Sequence, residues 1–157
     1  MNQLKAVLDH TLRTDALNED FISLVKLLDQ ELLSRYGDEQ TFFNQFNKTD
    51  TLKYVVVAYR NNVPVGCGAF RAYEGNVAEI KRMYVKAEYR SQGIASMVLN
   101  ELEKWAGELK FPTCILETGI LQPEAVRLYT KNGYEIIPNY GHYAMVKRSI
   151  CLKKIIG

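Results

Sequence analysis

Long apolar runs, paired cysteines and an excess of one charge are all missing from this sequence. No stretch nears the ~20 apolar residues that a membrane-spanning helix needs. The opening residues, MNQLKAVLDHTLRTD, have no apolar core behind a basic segment, so a secretion signal is not expected. The expectation is a cytoplasmic protein with no membrane partner. Cysteine occurs three times, at Cys67, Cys114 and Cys151, an odd number, widely spaced and flanked by apolar residues. That pattern suits buried reduced thiols and argues against a disulfide framework or a zinc site. The two histidines, His10 and His142, stand too far from other ligand types to suggest a metal cluster, and none is expected. Twenty basic residues against eighteen acidic ones leave a net charge of +2, far from the balance of a nucleic-acid binder. The basic end, KRSICLKKIIG, reads as the exposed face of a terminal strand, and no nucleic-acid partner is expected.

Enough apolar material remains for one core. Hydrophobic residues make up 47% of 157, with no linker, repeat or low-complexity segment, so residues 1–157 read as a single domain. FISLVKLLDQELLSRYG has helical spacing, follows Asn18, Glu19 and Asp20, and stops at Gly37; EQTFFNQF reads as a shorter second helix. LKYVVVAYR and VPVGCGAFRAY flank Asn61-Asn62 as a hairpin, and VAEIKRMYV is a third strand. YRSQGIASMVLNELEKWA becomes a helix, TCILETG a buried strand, QPEAVRLYTKNGY a helix ended by Asn132 and Gly133, and HYAMVKRSICLKKI alternates once more. The order predicts an α/β (α+β) fold: a mixed, mostly antiparallel central sheet flanked by helices.

One glycine stands out. Gly93 separates a polar turn from a helix that has no Ser, Thr or Asp cap directly before it, an arrangement that lets backbone approach a phosphate at the helix N-terminus. A Walker loop needs GxxxxGK and then Ser or Thr, a dinucleotide fingerprint needs GxGxxG, and neither is present. What remains is Arg90-Ser91-Gln92-Gly93-Ile94-Ala95, or R-x-x-G-x-A, between a strand and a helix.

That segment resembles the pyrophosphate signature of the GNAT superfamily of acetyl-CoA-dependent N-acetyltransferases, Gln/Arg-x-x-Gly-x-Gly/Ala. The resemblance runs in order from about Tyr54 to Leu152 and includes LYTKNGY, similar to the family's LYxxxGF. It departs where Ser91 replaces a frequent Gly and Ala87 a frequent Pro. The resemblance implies acetyl-CoA as cofactor, with main-chain N–H groups of Gln92 to Ser96 on its pyrophosphate, helped by Arg90. It places Met83, Tyr84 and Val85 along the acetyl group and the pantetheine arm, Gln122 (often Asn in the family) against the same arm, and Ala125 among the residues that bind the coenzyme. It also implies that Tyr129 faces the sulfur and returns a proton to it.

Acetyl transfer to an amine needs a neutral nucleophile, a polarised carbonyl and a proton for the thiolate. Strict alternation places Glu79, Lys81, Met83 and Val85 on one face of their strand and Ile80, Arg82 and Tyr84 on the other. The resemblance implies the base: in some family members a Glu four residues before the position of Met83 takes the proton, directly or through water, which makes Glu79 the candidate, set against an equal reading as a salt-bridged edge residue; Glu117 ranks below it. Tyr36, Phe43, Tyr140, His142 and Tyr143 are candidates to wall an acceptor pocket. Arg35, Arg71, Lys81 and Arg82 are candidates to hold a carboxylate there. The expected activity moves acetyl to a primary amine of a small, amino-acid-like molecule by direct attack through a tetrahedral intermediate. A protein lysine or N-terminus as acceptor and a non-catalytic coenzyme sensor stand as alternatives. Family members are often homodimers, and nothing in this sequence specifies the interface.

Overall fold

The computed structural model describes residues 8–40, 44, 48, 49 and 51–157. A seven-stranded sheet runs in the order β1-β2-β3-β4-β5-β7-β6. Its strands are β1 (Asp9–Thr14), β2 (Tyr54–Arg60), β3 (Val63–Tyr73), β4 (Val77–Val85), β5 (Thr113–Gly119), β6 (Glu135–Ile137) and β7 (Ser149–Ile155). The helices are α1 (Glu19–Tyr36), α2 (Ile94–Glu108) and α3 (Pro123–Lys131). All neighbouring strands are antiparallel except β4 and β5, which α2 connects as a crossover.

The helix boundaries follow from local chemistry. Asn18 caps α1 by accepting a 2.9 Å bond from the Phe21 N–H, and Phe21, Leu24, Val25, Leu28, Leu32 and Tyr36 bury one stripe of it. That stripe packs on Val55, Val57, Cys67 and Ala69 and, further along, on Tyr143 and Cys151. On the opposite face Ile94, Val98, Leu99, Leu102 and Ala106 of α2 pack on Val56, Ala58, Phe70 and Ile80. The hairpin turn is Asn61-Asn62, both at positive φ, as the twist of a tight two-residue connection requires.

Three elements differ from the sequence expectation, and a fourth lies largely outside the described residues. β1 was not foreseen: Asp9–Thr14 is an edge strand with no fully buried residue, held by the ladder to β2 and by Arg13, which pairs with Glu101 and Glu108 and lies over Trp105. β6 is a three-residue edge strand that was also missed. The terminal strand is shorter than its alternation suggested, because Gly141–Tyr143 forms a 3-10 turn and residues 144–148 turn before Ser149. The short helix over EQTFFNQF lies largely outside the described residues; Gln40 and Asn44 within it are helical.

A bulge in β4 matters most. Register shifts between Cys67 and Ala69, whose partners are Tyr84 and Lys81, so Arg82 and Met83 together stand opposite Gly68, with Arg82 at φ 59°. The inserted residue breaks strict alternation. Met83 packs with Val98 and Leu102 on the α2 face, whereas Glu79, Lys81 and Tyr84 face α1, so Glu79 and Met83 do not share a face. Gly68 permits this packing: a Cβ there would overlap the Met83 sulfur and stand 2.9 Å from Leu102 Cδ1. Gly68→Ala is expected to lower stability by about 1–3 kcal/mol through overpacking. A chemical-denaturation midpoint equal to the parent's would show that the sulfur swings aside without cost.

Candidate functional site

Between the Ala87–Tyr89 3-10 turn and α2, the chain makes two left-handed steps, Ser91 at φ 63° and Gly93 at φ 84°. Met97 N donates to Gly93 O at 3.0 Å and closes the first turn of α2. The N–H groups of Ile94, Ala95 and Ser96 therefore have no acceptor within the helix. Those of Ser91, Gln92 and Gly93 have no backbone partner among the described residues either. No carboxylate lies in the first turn of α2, and the space a Gly93 Cβ would enter is open. The geometry is a ring of main-chain donors at the positive end of a helix, which fits a diphosphate. Gly93→Val is expected to weaken acetyl-CoA binding about tenfold or more, since a β-branched residue resists φ 84° and its side chain fills that open space. Equal dissociation constants by calorimetry would place the coenzyme elsewhere.

Side chains around the loop hold it rather than extend from it. Arg90 Nε donates to Val85 O at 2.9 Å, its terminal nitrogens sit 2.9 and 3.0 Å from the two oxygens of Glu31 on α1, and its guanidinium covers the Tyr84 ring. Arg90, expected from the sequence to assist at phosphate, has its charge matched by Glu31. Gln92 Oε1 accepts from Arg60, and Ser96 Oγ accepts from Asn132 Nδ2 at 3.1 Å, which ties the end of α3 to the start of α2. The contacts that Glu31, Arg60 and Asn132 make with the loop carry no mark in the sequence, because their partners lie 59, 32 and 36 residues away.

Next to the loop the sheet opens. β4 and β5 pair only at Val77/Thr113, Ala78/Cys114 and Glu79/Ile115, and beyond Glu79 they separate, so the main chain of β4 through Met83 and Val85 borders a gap instead of a strand. Gln122, at the N-cap of α3, accepts from the Tyr36 hydroxyl at 3.4 Å, and Ala125 is half-buried on the core behind it. Tyr129 is 6% exposed, its ring edge-on to Tyr134 at 5.8 Å. Burial, and then the charge of Glu117, push its hydroxyl pKa up, so it stays protonated across the physiological range.

On the α1 side of β4 lies a cleft of about 220 Å³. Glu79, Lys81, Tyr140 and His142 meet there, together with Arg71, Tyr73 and Tyr143. Glu79 is 2% exposed; one oxygen accepts from Arg71 Nε at 2.7 Å and the other from the Tyr140 hydroxyl at 2.6 Å. This is the salt-bridged geometry weighed for Glu79 from the sequence. Lys81 Nζ lies 3.3 Å from the Tyr143 hydroxyl and 3.9 Å from Glu79, and burial pulls its pKa down. Glu117 is half-buried on β5 beyond the point where the strands part, and it accepts a 2.6 Å bond from Ser149 Oγ. Desolvation raises its pKa, and its charge reaches Lys81, Tyr36, Tyr143 and Tyr129. Two expected carboxylate holders lie outside this cleft: Arg35 pairs with Glu31 and Glu124, and Arg82 turns to Asp29. Tyr36 sits at the end of β5 beside Gly119, and Phe43 lies outside the described residues. Among the described residues no group of His, Cys, Asp and Glu could hold a metal, and no helix is long and apolar enough to cross a membrane.

Comparison with known proteins gives this arrangement a family. The acetyltransferase (GNAT) family model matches residues 16–134. An IAA acetyltransferase from Azospirillum brasilense is 30% identical over 147 residues, covering 90% of this chain and 94% of its own length. A solved structure from Klebsiella pneumoniae, assigned as an acyl-CoA N-acyltransferase, superposes with a TM-score of 0.78 at 27% identity over 96% of this chain and 99% of its own. PaiA N-acetyltransferase from Thermoplasma acidophilum, solved with coenzyme A, has the same fold at a TM-score of 0.70 and 17% identity, covering 94% of this chain and 99% of its own. The chain belongs to the GNAT family of acetyltransferases. It is an acyltransferase whose cofactor is acetyl-CoA, and the donor ring at α2 and the open edge of β4 suit that cofactor.

Proposed function

We propose that this protein acetylates the primary amine of a small molecule. The observation that carries the reading is the cleft beside the β4–β5 gap: at about 220 Å³ it falls below the roughly 300–1,000 Å³ of sites for drug-sized ligands. Bound acetyl-CoA supplies the thioester, and everything else falls to the chain's own groups. Main-chain N–H groups from Gln92 to Ser96 hold the diphosphate, and the free edge of β4 from Met83 to Val85 aligns the arm. The Met83 main chain holds the acetyl oxygen as a preorganised donor. Tyr129 gives its proton to the leaving sulfur. The proton of the attacking amine goes to Glu117 at Oε1, the oxygen that Ser149 leaves free. Glu79 was the first candidate for that task, but taking a proton would cost it the bonds from Arg71 and Tyr140, so we assign it to shaping the cleft.

Free-thiol release from acetyl-CoA, measured against amino acids, polyamines, aminoglycosides and short peptides, tests the reading. Turnover with one class of small amines and none with peptides is the expected result. A preference for peptides would move the acceptor to protein. Coenzyme binding with no thiol release from any compound would leave a sensor.

A further inference from the structure

We propose that the acceptor carries a carboxylate as well as its amine, and that Arg71 and Lys81 hold that carboxylate in the cleft. The inference rests on the small-amine reading above and deepens it. Its first support is charge: among the described residues Lys48, Arg71 and Lys81 line the cleft against one acidic lining residue, Glu79. The second is how that acid is used. Both Glu79 oxygens already accept a bond, from Arg71 and from Tyr140, and the residue is 2% exposed, so it anchors the cleft wall and presents little surface to a ligand's ammonium.

Arg71 spends only Nε on Glu79; among the described residues its two terminal nitrogens have no protein acceptor, and its side chain is 47% exposed at the cleft. A planar fork with one edge anchored and the other free is the donor set that pairs with a carboxylate. Lys81 faces the same space from the floor, its side chain 9% exposed, with the Tyr143 hydroxyl at 3.3 Å and Glu79 at a looser 3.9 Å. Burial destabilises its charged form, and an anion in the cleft would offset that cost. Tyr73 and Tyr140 meet edge to face at 5.2 Å, and Tyr140 meets Tyr143 at 5.8 Å, so the walls are aromatic. The class that fits is an amino carboxylate of amino-acid size, its carboxylate on Arg71 and Lys81 and its amine turned toward Glu117.

Matched pairs test it: phenylalanine against phenylalaninamide, and methionine against methioninamide, compared by thiol release and by calorimetric titration into the protein loaded with coenzyme A. The acid of each pair is expected to exceed its amide about tenfold or more in kcat/KM. Lys81→Met and Arg71→Lys should each collapse that ratio, chiefly through KM, while the dissociation constant of coenzyme A stays put. Arg71→Lys keeps a cation beside Glu79 and loses only the free fork, so a collapsed ratio there is not a folding defect. Amides turned over as well as acids, or a ratio unmoved in both variants, would overturn the carboxylate site and leave the transferase standing. If no compound releases thiol, titration decides: an acid that binds where its amide does not keeps the carboxylate site and removes the transfer reading. Binding of neither, or of both alike, overturns the site.

Discussion

Tyr129→Phe is expected to lower kcat by about 10²-fold or more, the scale of a lost general acid, while the dissociation constant of acetyl-CoA is unchanged. The substitution is nearly a pure test of the hydroxyl. The ring is 6% exposed and packed edge-on against Tyr134, and phenylalanine keeps both the volume and that contact. Burial and Glu117 hold the hydroxyl pKa well above its ordinary value, so in the parent the proton is present at every working pH. A loss of turnover that is constant across pH therefore belongs to proton delivery, whereas one that varies with pH belongs to another group. Equal kcat in the two proteins would leave Tyr129 as a core aromatic and assign the proton to solvent.

How much of this was legible in the sequence depended on distance along the chain. The phosphate loop is local: Arg90 to Ala95, a strand before and a helix after, all within one contiguous stretch. The donors that the loop leaves unpaired are main-chain N–H groups, so neither the side-chain partners of Arg90 and Gln92 nor Ser91 in place of Gly blurred the pattern. The cleft on the α1 side of β4 is the reverse case. Glu79 meets Tyr140 across 61 residues and Ser149 meets Glu117 across 32, and nothing in periodicity marks such pairs. Counting by two along EIKRMYV also failed, since alternation carries no sign of an inserted residue. The bulge at Arg82 put Met83 on the opposite face from Glu79. Gly68 across from it was the available clue, a small residue in the middle of a buried strand. The edge strands β1 and β6 escaped because their ladders, not an apolar face, hold them: DHTLRT has no fully buried residue, and EII is too short to show a period.

Glu117→Gln is expected to lower kcat/KM by about 10²-fold at neutral pH and to flatten its rise with pH, with a gain in stability alongside. The two effects share a cause. Desolvation raises the Glu117 pKa in the folded protein above its value in the unfolded chain, so the folded state binds more protons between the two values. Stability then falls as pH climbs through that window, and the penalty persists at neutral pH. Glutamine removes it and can still accept from Ser149 Oγ, so the variant's melting temperature should exceed the parent's at neutral pH, with the difference closing below the ordinary carboxylate range. Glu79→Gln separates the candidates by sign. It takes the negative partner from Arg71 and weakens the bond from Tyr140, so it should melt lower than the parent while keeping the ascending limb of the pH profile. The opposite pairing, with the limb lost in Glu79→Gln and kept in Glu117→Gln, would return the proton to Glu79 and make Glu117 a strand residue. A base held in a desolvated position at a cost to stability is what a working site requires; a carboxylate that stabilises the fold is already occupied.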